Sequence, residues 1–168
     1  MAQKVVAHFI DHQVVKGTSV DVDLGRPICH VRTDEGSVVE VDLAQIKALY
    51  FVKDLAGDSA YDENHMPETG DSRLRGSTLI DITFVDGEKL GALANRYPPR
   101  GPRFFVVPMD AKSNNVRILV NRDAVATMQT RAAEPAPPRQ TGAPRPSRPK
   151  RTTWVFDGKG IKEVPADR

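Results

Sequence analysis

The sequence predicts an all-β protein, and three observations support this prediction. Apolar and polar residues alternate along short segments such as residues 4–10 and 79–85, a period of two that is typical of strands. Turn-forming residues separate these segments. The segments also recur in the same order, which predicts two copies of one β-unit over residues 3–55 and 78–130.

Each unit opens with a strand and a turn. In the second unit the turn is Asp86-Gly87, a strong hairpin signal because glycine adopts positive φ at no steric cost. The first unit has Asp11-His12 at this place, so we expect a different and longer turn there. We match Gly17 with Gly91 as late-strand glycines, which mark bulges or bends in a sheet.

The later segments also correspond between the units. Residues 27–31 match 102–106, and residues 39–41 match 118–120. A short helical or 3₁₀ turn and a closing strand follow in each unit. About five short strands per unit favour two tandem small barrels of the SH3-like or Sm-like kind. The rival prediction is one larger sheet or sandwich made from the same strands.

Three segments lie outside the two units. Residues 56–77 are rich in Asp, Glu, Gly and Ser, which indicates an acidic linker or a long surface loop. Residues 131–151 are rich in proline and basic residues, so we predict a disordered tether. Residues 152–168 have the pattern of a Trp-containing hairpin, too small to fold alone in water.

Charge and cysteine content narrow the setting. The net charge is only +2, but residues 131–151 contain six basic residues and one acidic residue. The single cysteine, Cys29, excludes an internal disulfide and fits a reducing compartment. No membrane-length apolar stretch and no secretory signal pattern are present. We therefore expect a cytoplasmic protein that does not enter membranes.

The residue types that carry catalysis do not form recognisable motifs. The four histidines lack metal-ligand spacing: His8, His12, His30 and His65. Cys29 has no activating neighbour, and no glycine-rich phosphate loop or serine elbow occurs. We expect no catalytic residue, no metal and no cofactor, so the predicted protein is not an enzyme.

Protein binding is the function that the sequence favours. Residues 96–105, RYPPRGPRFF, combine residue types that are enriched at interface hot spots. Of the adjacent Phe104 and Phe105, one should fill the core while the first unit, a second chain or a partner covers the other. The terminal hairpin can dock by adding a strand to a sheet edge. The predicted protein-binding residues are Arg96, Tyr97, Arg100, Arg103, Phe105, Trp154 and Phe156.

This pattern predicts a non-enzymatic adaptor or regulatory module with an unknown protein partner, and it leaves a homo-oligomer open. The alternative is DNA or RNA binding through the basic tail, by Arg145, Arg148, Lys150 and Arg151. A minor alternative is binding of a cyclic dinucleotide in the manner of PilZ domains. Arg96 and Arg100 match the first half of that motif, but its second half is absent after Asp110.

Two phrases carry a family resemblance. Residues 50–57, YFVKDLAG, and residues 108–118, PMDAKSNNVRI, resemble an uncharacterised bacterial domain family that shares FVKDxxG and Lys-Ser-Asn-Asn-x-Arg. The resemblance covers about residues 4–128, and it departs from the family pattern at His12, where glycine is usual. It implies a repeated β-rich fold in a bacterial cytoplasm and assigns no activity.

Overall fold

The computed structural model describes residues 1–131, 152–156 and 161–165 of the chain, and these are all-β as predicted. The chain divides into two compact units, residues 1–133 and 134–168. The first unit contains ten strands: β1 (Gln3–Phe9), β2 (Val14–Ser19), β3 (Ile28–Arg32), β4 (Val38–Asp42), β5 (Ile46–Val52), β6 (Thr78–Phe84), β7 (Lys89–Ala94), β8 (Arg103–Pro108), β9 (Asn115–Asn121) and β10 (Val125–Thr130). Two short 3₁₀ turns, Ser72–Leu74 and Arg122–Ala124, complete it.

The ten strands form one antiparallel sheet in the order β10-β6-β7-β8-β9-β5-β1-β2-β3-β4. We call residues 3–55 the first half and residues 78–130 the second half. The two halves meet where β5 pairs with β9, with Leu49 opposite Leu119. The sheet therefore runs continuously through both predicted units.

Both halves have the same strand order and the same registers. In the first half Val5 faces Gly17, whereas in the second half Ile80 faces Ala92. Gly17 thus corresponds to Ala92, and our match of Gly17 with Gly91 is wrong by one residue. Gly17 is needed for another reason, because a Cβ there would lie 2.0 Å from the carbonyl oxygen of Arg32 on β3.

The first hairpin turn is also the same in both halves. The amide of Phe9 donates to the carbonyl of Gln13 at 2.9 Å, and that of Phe84 donates to Glu88 at 2.8 Å. His12 adopts a φ of 71°, close to the 87° of Gly87. Our expectation of a longer turn in the first half is therefore wrong, because His12 itself adopts the left-handed conformation.

Two hydrophobic cores share the strands near the junction. The second-half core takes in four first-half residues, namely Val6, Ala48, Tyr50 and Val52. The first-half core takes in Leu119 and has Phe105 packed against it, both from the second half. Strand β5 is accordingly buried along its whole length. Because domains this small bury little surface alone, each half completes the core of the other.

Residues 56–77 form a surface loop that is held by the second half. The hydroxyl of Tyr61 donates to Asp110 at 2.6 Å, and the amide of Asn64 donates to the same carboxylate at 2.9 Å. The guanidinium of Arg73 donates to the carbonyls of Pro108 and Met109 at 3.1 and 2.8 Å. These contacts fix the path of the loop over β8 and the turn that follows it.

The second compact unit contributes two described strands, β11 (Thr152–Phe156) and β12 (Ile161–Pro165), which pair antiparallel. The predicted disordered tether lies outside the described residues beyond Arg131. Within the part of the chain that the structure describes, no helix has the length and apolar character needed to cross a membrane.

Candidate functional site

The β7–β8 loop, residues 95–102, carries three of the predicted protein-binding residues on its surface. The side chains of Arg96, Tyr97 and Arg100 are exposed, whereas Pro99 between them is buried. Tyr97 retains 39% of its accessible surface, which is high for a large aromatic residue. The loop thus presents two guanidinium groups and one phenol ring to solvent.

This loop is held from below by Arg122. Its guanidinium donates to the carbonyl oxygens of Pro99 and, at 2.8 Å, Gly101. The same guanidinium carbon lies 5.2 Å from the ring centroid of Phe104, which is buried in the second-half core. The backbone of the loop is therefore fixed while its Arg and Tyr side chains remain exposed.

Arg103 and Phe105, also predicted to bind a partner, are engaged inside the molecule. Arg103 donates to the carbonyls of Leu24 and Arg26 at 3.1 and 3.2 Å. The ring of Phe105 lies 6.0 Å from that of Phe51. Three alternatives were expected to cover the second phenylalanine: the first unit, a second chain or a partner. In the structure the first half of the same chain covers Phe105.

The remaining predicted residues lie in the second compact unit. Trp154 and Phe156 are on β11, and their side chains lie outside the described part of the structure. The predicted nucleic-acid-binding residues fall outside the described residues: Arg145, Arg148, Lys150 and Arg151.

The two family phrases meet at the far end of the β5–β9 junction. The amide of Lys53 donates to the carbonyl of Asn114 at 2.9 Å, and its ammonium donates to the carbonyl of Ser113 at 2.7 Å. Asp54 and Asn114 exchange two further hydrogen bonds at 2.9 and 2.8 Å. These residues connect the two halves, so the phrases have a structural role that the sequence alone did not reveal.

Asp110 in the second phrase organises the loop beside this junction. It accepts hydrogen bonds from Tyr61, Asn64 and the amide of Lys112. These bonds, that from Tyr61 first, lower the pKa of Asp110, while the same carboxylate raises the pKa of Tyr61 to about 12. Asp110 therefore stays ionised at neutral pH, and Tyr61 keeps its proton.

A buried lysine at the opposite end of the junction was missed by sequence reasoning. Lys47 lies on β5 with 5% of its surface exposed, and its ammonium donates to Asp86 at 2.8 Å and to Glu88. Burial acts to lower the pKa of Lys47, but these two hydrogen bonds outweigh it and the net shift is upward. Burial and the charge of Lys47 lower the pKa of nearby His8.

The outer face of β7, β6 and β10 carries a polar cleft of about 600 Å³, which we call the β7–β6–β10 cleft. Its lining residues are His65, Asp81, Thr83, Lys89, Gly91, Thr127, Gln129 and Arg131. Arg131 donates from Nε to Asp81 at 3.0 Å and from Nη1 to the carbonyl of His65 at 2.6 Å. The alternation of polar residues along β6 was the available sequence signal, but it did not show that β10 would join this face.

The histidines and Cys29 are the residues that the sequence offered for metal binding or nucleophilic catalysis. Among residues 1–131, 152–156 and 161–165, no group of three His, Cys, Asp or Glu side chains could hold a metal ion. Cys29 is fully buried, and this burial raises the pKa of its thiol to about 11. A thiol in that state is a poor nucleophile.

Comparisons with known proteins place the chain in a family. Over residues 1–132 the chain matches the model of a family of unknown function, DUF6982. The chain belongs to that family, which confirms the expected membership in an uncharacterised one. No curated protein and no solved structure matches the chain.

Proposed function

We propose that the protein is a non-catalytic module that binds a protein partner through residues 95–102. The observation that carries this proposal is the loop that Arg122 holds from below while Arg96, Tyr97 and Arg100 remain exposed. A loop that is already ordered loses less conformational entropy on binding. Arginine and tyrosine are also the residue types most often found at interface hot spots.

The chemistry of the loop favours a partner surface that offers carboxylates or clustered carbonyl oxygens. Each guanidinium presents a planar set of donors that matches a carboxylate in two places. Tyr97 supplies apolar contact area together with a hydroxyl group. Arg103 and Phe105 support the loop from the β8 side in this proposal and do not touch the partner.

We further propose that the two halves are copies of one SH3-like unit. The support is their identical strand order, their matched registers and their matched turn hydrogen bonds. In this view the pairing of β9 with β5 joins two small barrels into one sheet. A reducing, cytoplasmic setting fits the free, buried Cys29.

The loop proposal is tested by quantitative affinity capture from cells that make the full-length protein at its natural level. The variant Arg96→Glu/Arg100→Glu reverses both exposed charges, and the matched control Arg32→Glu/Arg75→Glu reverses two exposed arginines elsewhere. We expect the first variant to lose a partner that the wild type and the control both retain. An unchanged set of partners in the loop variant would overturn the proposal.

Arg122→Gln sharpens this experiment because it frees the loop without removing any exposed side chain. Its loss of two hydrogen bonds to the loop should weaken capture less than the double charge reversal does. Capture that depends on the tail rather than on the loop favours nucleic-acid binding through Arg145, Arg148, Lys150 and Arg151. Calorimetry with cyclic di-GMP tests the PilZ-like alternative at Arg96 and Arg100 directly.

A further inference from the structure

The β7–β6–β10 cleft occupies a face that is buried in the other half of the molecule. Val6 pairs with Tyr50 in the first half, and Asp81 pairs with Gln129 at the corresponding place in the second half. Val6 and Tyr50 are covered because they belong to the second-half core. The equivalent face around Asp81 is an open cleft, bordered at one end by His65.

One row of this cleft is a line of hydrogen-bond donors. Lys89 pairs with Thr83 across β7 and β6, and Thr83 pairs with Thr127 across β6 and β10. Directly paired side chains on neighbouring strands start about 5 Å apart. An ammonium group and two hydroxyl groups therefore point from adjacent positions of the same face. Within residues 1–131, Lys89 forms no ion pair.

The second row supplies a position without a side chain and a fixed cation. Gly91 lines the cleft with backbone alone, and the side chains of Met109 and Arg131 lie close to it, 3.2 and 3.6 Å from where a Cβ would stand. Arg131 reaches across and is held by the carboxylate of Asp81 and the carbonyl of His65. With Lys89 and Arg131 positive and Asp81 negative, the lining carries a net charge of one positive unit when His65 is neutral.

We propose that the β7–β6–β10 cleft binds a small organic phosphate. The phosphate lies over Lys89, Thr83 and Thr127, where a full positive charge and hydroxyl donors meet. The organic part extends along the cleft towards Gln129 and Arg131. The volume of the cleft falls within the range of small-ligand sites, and the charged and hydroxyl groups in its lining favour a ligand that carries an anionic group. This site is separate from the loop proposed to bind a protein.

Isothermal titration of the full chain with adenosine monophosphate, inorganic phosphate and adenosine tests this assignment. We expect the two phosphates to bind and adenosine, which lacks the anion, not to bind. Lys89→Gln should weaken binding of adenosine monophosphate about tenfold, and Thr83→Val should weaken it by a smaller factor. The matched control is Lys112→Gln, which removes another exposed lysine outside the cleft and should leave binding unchanged.

Gly91→Ala separates the two parts of the ligand. Its added methyl group would lie 3.6 Å from Nη2 of Arg131 and 3.2 Å from Cε of Met109. Gly91→Ala should therefore weaken the binding of adenosine monophosphate more than the binding of inorganic phosphate. The assignment is overturned if neither phosphate binds at about 10 mM, or if Lys89→Gln binds as tightly as the wild type while thermal melting shows that both are folded.

Discussion

One face of the sheet is buried in the first half of the molecule and open in the second, although the strands beneath it have the same order and register. In the first half the face carries Val6 and Tyr50, which pack into the core of the second half. In the second half the same positions carry Asp81 and Gln129 and border a polar cleft. The difference teaches that side-chain polarity, on a shared backbone, decides which face becomes an interface.

The free edges of the sheet show the same contrast. Leu119 of β9 contributes to the first-half core, whereas its equivalent on the edge strand β4 is the exposed Glu40. On the other edge, β10 carries exposed Thr127 and Gln129. Polar and charged residues on edge strands discourage further strand pairing. The edges therefore favour a sheet that ends with one chain, while homo-oligomer formation stays an untested prediction.

The largest effect should come from exchanging the two faces at one position. Val6→Asp places in the buried junction the residue that its equivalent position already carries in the second half. A carboxylate there has no described partner and should lower the free energy of unfolding by about 3 kcal/mol or more. Urea denaturation followed by circular dichroism measures this change.

The reverse exchange is the control. Asp81→Val removes a carboxylate whose side chain is 46% exposed and leaves Arg131 partly in contact with water. Solvent screening limits the loss to less than about 1 kcal/mol. Equal losses in the two variants would show that the two faces are not as different as the structure indicates.

A smaller effect is expected at Lys47. This lysine of the first half bonds to the second half, whereas the equivalent position of the second half carries no such lysine. Lys47 lies at a break in the register between β1 and β5, and the exposed Ala126 lies at the matching break between β6 and β10. Lys47→Met keeps the apolar stem and removes the hydrogen bonds to Asp86 and Glu88. We expect a loss of about 1–2 kcal/mol at neutral pH, measured by urea denaturation.

The pH dependence of this loss distinguishes the ion pair from simple packing. The hydrogen bond from Lys47 lowers the pKa of Asp86, so this contribution to stability is present above the unfolded-state pKa and disappears as the pH falls through the lower folded-state pKa. The pKa of Lys47 is raised, so its contribution disappears as the pH rises through that raised value. The stabilities of wild type and Lys47→Met should therefore converge as the pH falls below the lowered folded-state pKa of Asp86, and again as it rises above the raised pKa of Lys47. A difference that is independent of pH would assign the effect to packing.

The smallest effect is expected at the two equivalent hairpin turns. His12→Gly gives the first turn the residue that the second turn has at Gly87, and both positions have positive φ. Relief of the left-handed strain should raise the free energy of unfolding by about 0.5–1 kcal/mol. Thermal melting measures the gain, and Gly87→Ala should show a loss of similar size. A destabilised His12→Gly would mean that the imidazole makes a compensating contact.

Much of the local structure could be read from the sequence. The alternation in residues 4–10 and 79–85 identified β1 and β6, and Asp86-Gly87 identified the turn after β6. The exposed positions of Arg96 and Arg100 agree with the loop predicted there. These features depend on residues that are close together in the sequence, so the spacing of residue types along the chain is enough to predict them.

Lys47 and the cleft could not be found in this way. Lys47 is buried because residues 39 and 41 positions further along the chain, Asp86 and Glu88, surround its ammonium. The cleft needs β10 to lie beside β6, and nothing local to β10 specifies that partner. Gly17 likewise depends on the close passage of Arg32. In each case the deciding contact joins residues that are distant in sequence.

By itself, the sequence determined an all-β chain with two matched sets of short strands, because periodicity and turn chemistry act over a few residues. Only the tertiary structure decided that β9 pairs with β5 to give one sheet, and that each half completes the core of the other. The physical reason is that the strands of either half could pair in several ways. Burial of Val6 and Tyr50 against the second half, and exposure of Asp81 and Gln129 at the equivalent face, selects one of them.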